Sequence, residues 1–165
     1  MSENKSKMIK YAMIAMGALG YVVMILPWFN LSSSASVGGY SSSMDAGNML
    51  GFSAAFTTFF GYLLYLLPAG AVALAIKVSD ETLPPRAKGF VMELIGAVGI
   101  ICLLFLMKEM KTYDTSISGS GYYGSAGYSP IIGFWVAEVV YGLYVVVGLV
   151  IMAISPKIPP QNEQQ

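Results

Sequence analysis

The chain has 165 residues, 56% of them hydrophobic and only 11% charged, with nine Lys plus Arg against nine Asp plus Glu. Soluble domains carry about a quarter of their residues as charges, so an ordinary water-soluble domain is excluded and lipid is the expected solvent for most of the chain; a mean hydropathy of +0.65 agrees. Without a basic balance no nucleic-acid partner is inferred, and with no His and a single Cys imidazole bases, His-held metals and haem, internal disulfides and CxxC redox pairs are all removed.

The charges cluster and leave four long apolar runs, from about Met8 to Phe29, Gly51 to Ile76, Gly89 to Met107 and Pro130 to Ile154. About 20 mostly apolar residues cross a hydrocarbon core as a helix, and these runs are apolar all round, unlike the alternating segments of a membrane β-barrel. The expected fold is an all-α membrane protein, an antiparallel bundle of four transmembrane helices in one domain. Lys5, Lys7, Lys10, Lys77, Arg86, Lys88 and Lys157 fall on the side of the ends and middle loop, and only Lys108 and Lys111 on the other. Positive residues are retained in the cytoplasm, so both termini are expected inside a cell membrane.

The first run follows three lysines as a signal peptide would, but it is longer than a signal core and is expected to be retained. It ends in Leu26-Pro27-Trp28-Phe29, where Trp28 and Phe29 read as an anchor at the outer headgroups. Two outer loops follow their helices, roughly Asn30–Leu50 and Lys108–Ser129, rich in Ser, Gly and Tyr. Such composition favours flexible or β-hairpin-like segments over helices. Tyr40, Tyr122, Tyr123 and Tyr128 are candidate contact residues, since Tyr on a Ser/Gly frame makes adaptable contacts; the plainer reading is a hydrophilic connector with rings resting on the headgroups. Gly39-Tyr40 stands twelve residues before Gly51-Phe52, and Gly121-Tyr122 twelve before Gly133-Phe134, a spacing that the abundance of Gly and Tyr explains better than a duplicated hairpin.

The second run contains Pro68, expected to kink it. The inner loop with Pro84-Pro85 is a tight connection, and the tail 156–165, with Pro156, Pro159 and Pro160, reads as disordered. Small residues such as Gly17, Gly20, Gly96, Gly99 and Gly148 let helices approach closely in lipid, within one chain or between copies.

Two acids lie in the runs. Glu93 is one turn inside the third and close enough to the inner interface to reach it. Glu138 stands eight residues past Pro130, roughly 12 Å into a core about 30 Å thick, where a charge costs about 2.5 to 3.5 kcal/mol on insertion scales. It is expected to face the interior as a neutral acid bonded to a hydroxyl such as Thr57, Thr58 or Tyr21, with Tyr141 beside it on its own face. The alternative is a proton or cation site. Cys102 reads as a small apolar filler.

From Leu26 to Phe52 the pattern of an apolar helix ending in Leu-Pro-Trp-Phe, a Ser/Gly loop and Met44-Asp45-Ala46-Gly47 before the next helix resembles small, mostly uncharacterised four-helix membrane proteins of prokaryotes. The layout is also similar to the tetraspan architecture of claudins, whose loop cysteine pair is missing here. This resemblance implies a fold and no activity. The function expected is non-catalytic: an interaction or accessory subunit, or a self-assembling component, with the lipid bilayer and other membrane chains or copies of itself as partners and no cofactor. The alternative is an oligomeric channel or transporter subunit working through Glu138.

Overall fold

A computed structural model describes residues 3–80, 82–119 and 121–155; the tail expected to be disordered lies outside them. Its helices are α1 (Glu3–Ile25), α2 (Gly51–Thr57), α3 (Phe59–Lys77), α4 (Pro85–Thr112) and α5 (Ile132–Ile154). Four of these, all but α2, are long and apolar enough to cross a membrane. Their ends follow local chemistry. Pro85 takes the first turn of α4, where its missing N–H has no helical partner to lose. The run expected as one helix from Gly51 is two, because Thr58 is extended and its hydroxyl accepts the Gly61 N–H at 3.0 Å while donating to the Ala54 carbonyl at 3.4 Å. One side chain thus ends α2 and caps α3.

The all-α expectation is overturned by the loops. The Ser/Gly/Tyr segments are strands β1 (Pro27–Val37), β2 (Tyr40–Leu50), β3 (Thr115–Gly119) and β4 (Tyr122–Pro130). They form one antiparallel sheet in the order β2-β1-β4-β3. The β1–β2 hairpin turns at Gly38-Gly39, with φ of +57° and +87°, the paired left-handed conformation that glycine adopts without strain and that matches strand twist. The hairpins join through the β1–β4 pairing, from Phe29↔Pro130 to Val37↔Tyr122. That pairing is the physical reason the expectation fails: two hairpins marginal alone satisfy each other's backbone groups once α1, α4 and α5 bring their bases together. The twelve-residue spacing noted in the sequence does align the two hairpin turns, although β1 and β4, which pair, hold unlike positions in their hairpins.

The long helices pack in the cycle α1–α3–α4–α5, with α2 wedged among α1, α3 and the strand bases. Helix contacts run through small residues: a Cβ on Gly96 would stand 2.6 Å from the Tyr141 carbonyl oxygen, and one on Gly148 at 2.6 Å from the Glu93 nitrogen. Without a hydrophobic drive between helices in lipid, such backbone approach supplies the packing contact. The core runs from Ile9, Met13 and Met92 at one end through Leu64, Tyr141 and Leu103 to Trp28, Phe29 and Phe134 below the sheet.

Candidate functional site

The register fixes what each side of the sheet presents, since side chains of directly paired residues share a face and successive residues alternate. One face carries Tyr40, Val37 and Tyr122 in its top row and Ser42, Ala35 and Ile117 in a lower row. Met44, Ser33, Ala126 and Thr115 follow, with Leu31 and Tyr128, then Met49 and Phe29, at the base. The opposite face carries Ser41, Ser36, Tyr123 and Ser118, then Ser43, Ser34, Ser125 and Ser116, then Asp45 and Ser32, then Asn48, Asn30 and Ser129. The sheet is therefore amphipathic: one side is mostly apolar and uncharged, with Ser33, Ser42 and Thr115 as its hydroxyl side chains, and the other is a serine ladder with Asp45 near its base.

Hydrogen bonds confirm the polar face. Ser34 and Ser125 share a hydroxyl contact of 2.8 Å, and the Asn30 amide donates to Asp45 at 2.8 Å and to Asn48 at 3.3 Å. Asp114 accepts the Tyr128 backbone N–H at 3.0 Å, tying β4 to the end of α4. Ala46 is the extra residue of a bulge, with Leu31 paired to Gly47 and Ser32 to Asp45. It keeps β2 in phase, so Met44 and Met49 stay on the apolar side. That side is sealed only at its base, where Phe29 is buried and Tyr128 half-buried. Above them Val37, Tyr40, Met44, Ile117 and Tyr122 are all exposed, Tyr40 by 85%.

The four candidate contact tyrosines thus divide. Tyr40 and Tyr122 stand side by side, through Val37, at the apolar tip; Tyr123 lies on the polar face; Tyr128 packs down toward the core. The sequence reading missed Val37, Met44 and Ile117, whose alternation with serines was the available signal. Trp28 and Phe29 are buried instead of facing headgroups: the Trp28 indole donates to the Val23 carbonyl at 2.9 Å and stacks edge-on against Phe134. They form the joint between helices and sheet, which is closed by Gly51 N–H to the Leu26 carbonyl at 3.0 Å and Ile131 N–H to the Trp28 carbonyl at 2.9 Å.

The candidate intramembrane residues do not form one cluster of side-chain bonds. Glu138 is half-buried and makes no hydrogen bond or ion pair with the described residues, and the Thr57 and Thr58 hydroxyls donate to the Ala54 carbonyl. Tyr21 packs edge-on against Tyr65. Tyr141 instead points across to α3 and donates to the Leu64 carbonyl at 2.8 Å. Leu64 lies four residues before Pro68, which has no N–H to give that carbonyl; Tyr141 supplies the missing donor. Its stacked neighbour Tyr144 donates to the Met16 carbonyl at 2.7 Å. Gly20 makes the room, since a Cβ there would stand 2.7 Å from Pro68 Cγ and 2.8 Å from the Tyr144 hydroxyl. One carboxylate oxygen, Glu109 Oε2 near the sheet end of α4, is buried without a partner among the described residues. Among those same residues no three His, Cys, Asp or Glu side chains gather as metal ligands. No family model matches this chain, and no curated protein matches it.

Proposed function

We propose that this is a non-catalytic cell-membrane protein, with both termini cytoplasmic and the sheet outside, that associates with a second copy of itself through the apolar face of that sheet. The observation that carries the reading is the unpartnered apolar face above the helices. Its extent is on the order of 400 Å² from strand spacing and rise, the size of the largest apolar patch on a typical monomer, which often has a function. The face holds no charge, so a charged partner gains nothing there, whereas a self-complementary two-fold contact needs only shape and apolar area. Copies inserted in one bilayer with one orientation hold this face at the same height above the membrane, which prepays part of the orientational cost of association. The seven-to-two division of Lys and Arg between the sides supports the orientation.

The test is the mass of the protein extracted with its surrounding lipid, for the native chain and for Val37→Asn combined with Ile117→Asn. Two copies for the native chain and one for the variant are expected. A single copy for the native chain, or a pair indifferent to the variant, overturns the reading. A liposome ion leak abolished by Glu138→Gln in correctly assembled protein would place the activity within the helices instead.

A further inference from the structure

At the end of the helices opposite the sheet lies a cleft of about 470 Å³ between α1, the end of α3 and the start of α4, lined by Ser6, Lys10, Lys77, Ser79, Asp80 and Lys88 over an apolar floor. The geometry points to this cleft as a binding site for a phosphate-bearing anion, supplied by the headgroup of an anionic phospholipid or by a soluble phosphorylated molecule.

The charges are arranged for it. Lys88 is only 5% exposed, and its ammonium donates to the Val78 carbonyl at 2.6 Å and to Asp80 Oδ1 at 2.8 Å. The other Asp80 oxygen accepts the Ser6 hydroxyl. Among the described residues the one acid lining the cleft is therefore engaged on both oxygens, and Lys88 also covers the carbonyl of Val78, the residue that caps the C-terminus of α3, where the helix dipole would repel an anion. Lys10 and Lys77 remain at the exposed rim, and neither has a carboxylate within 4.0 Å among the described residues. Among the described residues the lining carries three lysines against one aspartate, a net positive wall with serine hydroxyls beside it. Ile9, Met13, Ala75 and Ile76 form the adjoining apolar surface, so a headgroup at the lysines would lay its acyl chains along apolar side chains. Basic pockets between helices at the headgroup level take anionic lipids for this reason. The site lies at the far end of the helices from the sheet and stands whether or not copies pair.

The full-length protein, purified in neutral detergent, is titrated with phosphatidylglycerol or with phosphatidylcholine of the same chains, and bound lipid is counted by native mass spectrometry. Preferential retention of phosphatidylglycerol is expected, lost in Lys10→Gln/Lys77→Gln by about fivefold per lysine and kept in Lys108→Gln/Lys111→Gln. Inorganic phosphate at millimolar concentration separates the sources: lipid that stays bound identifies the headgroup, and lipid displaced identifies a soluble phosphorylated ligand. Equal retention of the two lipids with no phosphate bound, or unchanged retention in the cleft variant, overturns the proposal. If the double variant fails to fold, Lys10→Gln and Lys77→Gln are read singly against the same expectation.

Discussion

At the residue scale, the most consequential polar contacts are those that complete something the backbone lacks. Pro68 leaves the Leu64 carbonyl without its helical donor, and the Tyr141 hydroxyl fills the gap at 2.8 Å. Tyr141→Phe is expected to destabilise the protein by about 1 to 2 kcal/mol, as for a buried acceptor left unpaired. In a Pro68→Ala background, where residue 68 again has an N–H, the same change should cost clearly less. A double-mutant cycle of unfolding in mild denaturing detergent reads this coupling; additive effects would show that the hydroxyl is not replacing the missing N–H. Asp80 is the second such residue. The hydrogen bond from Lys88, then that from Ser6, holds its carboxyl below the usual carboxylate range. A depressed folded value contributes stability that is present above the unfolded value, near about 3.9, and is lost as pH falls through the lower, folded one. An acid-side loss of stability below about pH 4 is therefore expected. It should shrink in Asp80→Asn, by a modest amount because Asp80 is partly exposed and screened.

At the element scale, the helices were legible as long apolar runs, and the sheet only as loops of hairpin-like composition, because its apolar face is built from residues that read weakly. Val37, Ala35, Ser33 and Leu31 alternate with Ser36, Ser34, Ser32 and Asn30, but Ser and Ala on the apolar side blur the period. The Gly38-Gly39 turn was a usable hairpin signal. The β1–β4 pairing was not, since nothing local specifies contacts about ninety residues apart, as between Ser34 and Ser125. The same limit explains Glu138, whose place along its helix was readable while its surroundings depended on how the helices pack. It also explains Trp28, whose composition suited an interface but whose place beneath the sheet required the sheet. Because β1 and β4 are the inner strands and β2 and β3 the edges, amide exchange should be slowest in β1 and β4 and fast along the outward side of β2. Uniformly fast exchange across all four strands would mean that the hairpins do not join.

At the scale of the whole molecule, the chain divides its surface by height. The outward sides of four helices long enough to cross a membrane stay apolar, lysines gather at one end, and an amphipathic sheet rises at the other. Open sheets with long edges invite unplanned pairing. Here the bulge at Ala46 and Asp45 on β2 discourage edge growth and leave the apolar face as the place for a specific contact. In the proposed association this face, and not the serine face behind it, meets a second copy. Adjacent residues on β1 separate the two, for Ala35 lies on the apolar side and Ser34 on the polar side. With the buried Cys102 replaced by Ser, mild oxidation in membranes of Ala35→Cys and, separately, of Ser34→Cys is the most direct test. A covalent pair is expected for Ala35→Cys and little for Ser34→Cys. Cross-linking through Ser34→Cys alone, or equally through both, would contradict that expectation.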